Sequence, residues 1–138
     1  AIHDRWAIDD LKVQLNGEDD IDASQILEPR IDTVEDLLGA LATVDVVVAS
    51  RLHSVILSHM LRKPVLAISY HEKIDTVMAD LGQSEYCLSI DEFNVDALKK
   101  QFLVLVSNQP SLEAQIEEKT QAYCRALDEQ YDHLFGNL

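Results

Sequence analysis

Residues 46–73 read VVVASRLHSVILSHMLRKPVLAISYHEK, and the order of apolar and polar segments in this stretch decides the fold class. Two apolar, β-branched segments, Val44 to Ala49 and Val65 to Ser69, are typical of strands that are buried on both faces, as in a parallel sheet. Between them, Leu52 to Arg62 has apolar residues at helical spacing. The stretch therefore predicts a β-α-β unit.

The same alternation continues on both sides of this unit. Further helices are predicted at 4–15, 33–43, 72–81, 95–107 and 110–134, and further strands at 21–27 and 85–89. Alternating strands and helices favour parallel strands joined by right-handed crossovers. We predict a Rossmann-like, three-layer α/β/α fold with a mostly parallel sheet, one domain over 1–138 and a C-terminal helical segment at 108–138.

Composition limits the classes of function. The chain has 138 residues and a formal net charge of -14, which opposes binding to nucleic acid. Its apolar runs are of strand length, too short to span a bilayer, and its start resembles no signal peptide. Cys87 and Cys124 are isolated, so we expect no disulfide framework and no zinc site, and a reducing, cytoplasmic setting. Because it starts without methionine, we expect a fragment or a trimmed chain.

Polar side chains follow both apolar strands of the opening stretch. In parallel sheets, ligands bind beyond the carboxyl ends of the strands, so the two groups are predicted to face one crevice. The candidate site residues are Arg51, His53 and Ser54 after the first strand, and Tyr70, His71 and Lys73 after the second.

Each candidate has a functional and a purely structural interpretation. Arg51 at a helix N-terminus suits a carboxylate or phosphate, and His53 can deliver a proton near neutral pH. Lys73 at the next helix start works against the helix dipole, which hints at function. Alternatively, Arg51 pairs with a neighbouring acid, His53 is a helix cap and Lys73 points into water. His59, inside the helix, is expected to face a packed surface.

The ordered pattern over residues 33–90 resembles the C-terminal domain of the polysaccharide pyruvyl transferase family. The pattern consists of an aspartate before a run of valines, R-L-H-S, a proline, an apolar strand, S-Y-x-x-K and a helix that ends in L-G. Here these are Asp45, Arg51 to Ser54, Pro64, Ser69-Tyr70, Lys73 and Leu81-Gly82. His71-Glu72 stands where the family often has Asp-Pro.

The resemblance implies a GT-B-like enzyme of two Rossmann-like domains, of which this chain is the C-terminal half and the N-terminal domain is absent. Such enzymes transfer the pyruvyl group of phosphoenolpyruvate to a sugar as a ketal. By motif position, His53 would be the general acid, and Arg51 and Lys73 would bind the donor's charges. Ser54, Tyr70 and His71 would be further substrate contacts. No cofactor and no metal is expected.

Several expectations follow from this resemblance. The acceptor would be a lipid-linked or nucleotide-linked glycan of an exopolysaccharide or cell wall, handled in the cytoplasm or at the inner face of the membrane. The isolated fragment would be inactive. Two alternatives stay open: a GT-B glycosyltransferase that uses a nucleotide sugar, and a non-catalytic module that binds a sugar or a partner.

Overall fold

The computed structural model describes residues 2–15, 24 and 26–135, which divide into two compact units at Ile31 and Asp32. In the first unit, helix α1 spans Ile2–Leu15, as predicted. The Lys12 ammonium pairs with the Glu28 carboxylate within this unit. Most of the predicted strand at 21–27 lies outside the described residues, while its last two residues, 26 and 27, are in neither a helix nor a strand.

The second unit alternates helices and strands and contains a three-stranded parallel sheet of order β1-β2-β3. Ala49 of β1 pairs with Ala67 of β2, and Ser69 of β2 pairs with Ser89 of β3. Parallel strands flanked by helices confirm the predicted Rossmann-like α/β class. The elements are α2 (Val34–Ala42), β1 (Val47–Ala49), α3 (Leu52–Met60), β2 (Val65–Ser69), α4 (Glu72–Asp80), a 3₁₀ turn (Ser84–Tyr86), β3 (Cys87–Ser89) and α5 (Val95–Phe135).

The core of this unit is centred on β2. Val65, Leu66 and Ala67 are each 0% exposed. Because successive strand residues point to opposite faces, β2 is covered on both faces. Helices α3, α4 and α5 all contact it. The core also contains Ala49, Val55, Ile74, Met78, Tyr86, Leu105 and Leu112.

Strand β1 differs from its prediction. The sequence predicted a strand from Val44 to Ala49 that is buried on both faces, but β1 begins at Val47 and Val48 is 48% exposed. The physical reason is position: within the described part of the chain, β1 is an edge strand that pairs with β2 alone. On the other face of β1, Ala49 is buried and Val47 is half-buried.

The two predicted C-terminal helices form one continuous helix, α5, with Pro110 inside it. The prediction of a break before Pro110 was wrong. A proline inside a helix removes one hydrogen bond and costs about 3 kcal/mol. Packing on both sides offsets this cost, because Leu105 and Leu112 are both buried in the core.

Helix ends in this unit follow known capping rules. Thr33 and Asp36 form a capping box at the start of α2. At the end of α4, Gly82 has φ +71° and its N–H donates to the Ala79 carbonyl, while the Gln83 N–H donates to Met78. These two bonds form a Schellman motif.

Candidate functional site

The first candidate group lies where β1 leads into α3. Arg51 is the N-cap of α3, with extended backbone angles (φ -103°, ψ 131°) and no capping bond from its side chain. No acidic residue occupies the first turn of α3. By contrast, α2 has Glu35 and Asp36 in its first turn, and α4 has Glu72 and Asp75. In a chain of net charge -14, an anion at the start of α3 therefore meets backbone N–H groups and no carboxylate from the first turn of that helix.

His53 and Ser54 occupy the second and third positions of α3. The His53 side chain is exposed, while Ser54 is partly buried and its carbonyl accepts a hydrogen bond from Ser58 Oγ at 2.7 Å. Val55, the next residue, is fully buried. The buried residue fixes the helix against the core and leaves His53 facing solvent beside Arg51.

The second candidate group lies where β2 leads into α4. Tyr70 is 55% exposed and His71 is the N-cap of α4, with its Nδ1 accepting a hydrogen bond from the Lys73 N–H at 3.2 Å. The Lys73 side chain is exposed. One N–H at this helix start already donates to His71, and two acids lie in its first turn. The start of α4 is therefore a weaker position for an anion than the start of α3.

A shallow pocket of about 210 Å³ lies between the carboxyl ends of β2 and β3. Two candidate residues, Tyr70 and His71, line it. Arg51, His53 and Lys73 are not among the lining residues, so the structure does not gather all six candidates around this pocket. The other lining residues are Ser69, Glu72, Asp75, Ser89 and Asp91.

The polar side chains are thus segregated by charge along the carboxyl edge of the sheet. Arg51 and His53 follow β1, whereas the pocket beside β3 contains three carboxylates. Adjacent strands lie about 4.8 Å apart, so these two regions are neighbours across the end of β2. Carboxylates repel an anionic ligand and accept hydrogen bonds from hydroxyl groups, which makes the β1 side the better position for an anion.

Sequence reasoning missed the contribution of β3 to this edge. Ser89 ends β3 and Asp91 follows it, and the Asp91 N–H donates to Ser89 Oγ at 3.3 Å. The rule that pointed to the ends of β1 and β2 applies equally to β3. The signal was present in the sequence, but 85–89 had been interpreted only as a short strand.

Two titratable side chains near this edge have shifted pKa values. Burial, together with a hydrogen bond to Asp75 and the charge of Asp75, raises the pKa of Cys87 to about 11. The Cys87 thiol donates to Asp75 Oδ1 at 3.4 Å. Cys87 is therefore a protonated thiol at neutral pH and a poor nucleophile. His59 is 3% exposed, as the predicted packed position requires, and burial lowers its pKa to about 4.

Metal binding and membrane spanning find no support in the described residues. Across residues 2–15, 24 and 26–135, no group of three or more His, Cys, Asp or Glu side chains is arranged to hold a metal ion. In the same part of the chain, no helix is both long and apolar enough to cross a membrane.

The fold and this edge define an α/β protein that holds its candidate site residues at the carboxyl ends of parallel strands. The sequence model of the polysaccharide pyruvyl transferase family matches residues 4–72, half of the chain. The chain belongs to this family. The match includes Arg51, His53, Tyr70 and His71 and ends one residue before Lys73. Neither the curated proteins nor the solved structures contain a significant match.

Proposed function

We propose that this chain is the C-terminal half of a two-domain, GT-B-like polysaccharide pyruvyl transferase. It would move the pyruvyl group of phosphoenolpyruvate onto two hydroxyls of a sugar in an exopolysaccharide or cell-wall glycan. The observation that carries the proposal is the start of α3. There, Arg51 and His53 are exposed next to a helix N-terminus without acids, inside the segment that matches the family.

The donor is a small polyanion, and the start of α3 suits its charges. Arg51 can bind the carboxylate or phosphate through two parallel N–H bonds, and the backbone N–H groups of the first turn add to this. Lys73 at the start of α4 is the second cation in the proposal. Ser54 and Tyr70 are proposed as further contacts, and no metal or organic cofactor is required.

The chemistry needs one proton at the donor's terminal enol carbon. His53, as the general acid, would deliver that proton, and the neighbouring carbon would become cationic. A sugar hydroxyl attacks this carbon and loses its own proton to a base. A second hydroxyl then displaces phosphate, which closes the ketal. The acceptor is proposed to be a lipid-linked or nucleotide-linked glycan at a cytoplasmic site.

The sharpest test of His53 separates turnover from binding. In the two-domain enzyme, His53→Gln keeps size and hydrogen bonding but cannot deliver the proton in the same way. We expect kcat to fall by at least about 10²-fold with the phosphoenolpyruvate KM nearly unchanged. The matched control is His133→Gln, which changes an exposed histidine in the last turn of α5. A near-normal kcat in His53→Gln would remove this residue from the mechanism.

The test of Arg51 concerns donor affinity. Arg51→Ala removes a charge-assisted hydrogen bond worth roughly 1.5–3 kcal/mol, so we expect donor affinity to fall about 10- to 150-fold. Arg62→Ala is the matched control, because it removes an arginine from the other end of α3, where the side chain pairs with Glu117 at 3.1 Å. Equal donor affinity in both variants would make Arg51 a structural residue.

The competing functions give different binding results. A GT-B glycosyltransferase would use the same cationic side chains to bind a nucleotide sugar. Its affinity for a nucleoside diphosphate would exceed that for phosphoenolpyruvate. A non-catalytic module would bind a glycan without turnover. Isothermal titration of the two-domain protein with phosphoenolpyruvate and with uridine diphosphate separates a pyruvyl transferase from a glycosyltransferase. An assay of phosphate release identifies the non-catalytic module.

A further inference from the structure

The turn that joins β2 to α4 is held by hydrogen bonds that converge on His71. Ser69 is 4% exposed, and its hydroxyl donates to the His71 carbonyl at 3.2 Å. The Ile74 N–H donates to the same carbonyl at 2.9 Å. The Lys73 N–H donates to His71 Nδ1 at 3.2 Å. His71 therefore accepts hydrogen bonds through both its backbone and its ring.

This arrangement determines which ring nitrogen of His71 can accept. Because Nδ1 accepts from a backbone N–H, it has no proton, and the proton of the neutral ring lies on Nε2. The accepting nitrogen is thus occupied by the protein itself. The His71 ring caps α4 in the same way that the Thr33 hydroxyl caps α2, where Thr33 Oγ1 accepts from the Asp36 N–H at 3.1 Å.

The first turn of α4 also determines where Lys73 can reach. In an α-helix, the Cα–Cβ bonds tilt toward the N-terminus, so the Cα–Cβ bond of Lys73 points back toward the start of α4. A helix start without a cap leaves its N–H groups unsatisfied and frays more readily. The direction of the Lys73 side chain consequently depends on the cap supplied by His71.

We propose that His71 is a positioning residue, which caps α4 and thereby holds Lys73 toward the donor, and that it is not itself a substrate ligand. The sequence predicted a ligand role for His71 instead, and the two roles give different experimental results. The capping part stands on the hydrogen bonds alone, and the part that concerns Lys73 rests on the proposed function.

The test compares His71→Ala with His71→Asn in the two-domain protein. Asparagine is a good N-cap and is neutral, so it restores the acceptor without adding a charge beside an anion. We expect His71→Ala to speed amide hydrogen exchange at Lys73 and Ile74 about 5-fold and to raise the phosphoenolpyruvate KM by a similar factor, with kcat kept. His71→Asn should stay within about twofold of the wild type in both measurements.

Thr33→Ala is the matched control. It removes the side-chain cap of α2, a loss comparable to that of the α4 cap in His71→Ala, but it leaves the turn between β2 and α4 intact. We expect it to change the exchange of the α2 N-terminus and to leave the donor KM unchanged. That result would show that a raised KM in His71→Ala does not come from a general loss of stability.

Different outcomes test the capping role of His71, its contact with the substrate and the proposed function separately. Unchanged exchange in His71→Ala would overturn the capping role. A raised KM in His71→Asn with normal exchange would show that the imidazole contacts the substrate, which also overturns the proposal. If exchange behaves as expected but the wild-type protein transfers no pyruvyl group, the capping role is supported and the proposed function fails.

Discussion

His59 shows how burial changes the chemistry of a single side chain in this protein. The ring is 3% exposed, and neither of its nitrogens has a hydrogen-bond partner. Burial disfavours the charged ring, which lowers its pKa to about 4 from the usual 6.5. The folded protein therefore binds this proton less readily than the unfolded chain does.

This pKa shift predicts a pH-dependent stability. Because the folded pKa is lowered, the stability contribution is complete above pH 6.5 and is lost as pH falls toward about 4. Between these values, the free energy of unfolding should fall by about 1.4 kcal/mol per pH unit, roughly 3 kcal/mol in total. Urea unfolding from pH 7.5 to pH 4 of the wild type and of His59→Leu measures the difference.

The difference between these two proteins isolates His59 from the carboxylates that also titrate at low pH. One such group is Asp36, whose pKa is lowered by hydrogen bonds from the Asp32 backbone and from Thr33. His133→Leu, which replaces an exposed histidine, is the control. A pH-independent difference for His59→Leu would mean that the ring is not buried in its neutral form.

The two cysteines predict a contrast in reactivity. Cys124 is exposed, whereas Cys87 is half-buried with a pKa raised to about 11 by burial and by Asp75. We expect iodoacetamide at pH 7.5 to modify Cys87 at least about 10²-fold more slowly than Cys124, since only the thiolate reacts. The measurement is the modification rate of each cysteine by peptide mass spectrometry.

Substitution of Asp75 tests the cause of this contrast. In a Cys124→Ser background, Asp75→Asn removes the neighbouring charge, lowers the pKa of the Cys87 thiol and should raise its reaction rate several-fold. Glu72→Gln is the control, because it removes another acid from the first turn of α4, one that does not shift the Cys87 pKa. Equal effects of the two substitutions would assign the slow reaction to burial alone.

At the level of the elements, Gly82 after α4 and Gly39 within α2 predict opposite effects of alanine. Gly82 follows α4 with φ +71°, and an added Cβ would lie 3.2 Å from Gln115 Nε2. That amide is part of the contact in which Gln83 Nε2 donates to Gln115 Oε1 at 2.9 Å. Gly39 lies inside α2, and an added Cβ there would meet nothing within 4 Å.

We therefore expect Gly82→Ala to lower the free energy of unfolding by about 1–2 kcal/mol, the cost of a left-handed conformation for an L-residue. Gly39→Ala should raise it by up to about 1 kcal/mol, because alanine favours a helix interior over glycine. Thermal and urea unfolding of the two variants check both signs. A stabilising effect of Gly82→Ala would contradict the Schellman end of α4.

The elements also explain where helix prediction failed. α3 and α4 end where their C-terminal signals occur, but Pro110 did not end α5. A proline acts through one lost hydrogen bond, a local effect of fixed size. Contacts from residues on both sides of it, Leu105 and Leu112, decided the outcome, and these depend on what α5 packs against.

For the whole molecule, the position of the core predicts unequal costs for the same substitution in two adjacent strands. Val65 in β2 is 0% exposed, and Val48 in β1 is 48% exposed. Val65→Ala should cost roughly 2 kcal/mol, from lost burial and the cavity left behind. Val48→Ala should cost less than about half of that. Urea unfolding measures both, and equal costs would place β1 in the interior of the sheet.

Net charge is the second property of the whole molecule that bears on function. The formal net charge of -14 repels anions at long range, so any anion that this protein binds must be held by local groups. The start of α3 combines a cation with a helix N-terminus that has no acid in its first turn. The pocket beside β3, with three carboxylates, does not.

The sequence by itself determined the class of fold and the parallel pairing of its strands, and it indicated the candidate site residues at the strand ends. Alternation of apolar strands and amphipathic helices is a local signal, and so are the caps at Thr33 and Gly82. Family membership, too, is contained in residues 4–72. These features were predictable because each depends on residues that are close together in the chain.

Only the tertiary structure decided which strand is central, how far β1 is covered and that α5 runs through Pro110. It also separated the candidate residues, with Arg51 and His53 at the start of α3, Tyr70 and His71 in the acidic pocket, and the His71 ring engaged as a helix cap. Burial and hydrogen-bond partners come from segments far apart in sequence. Residue types alone therefore identify what a side chain can bind, while packing decides what it does bind.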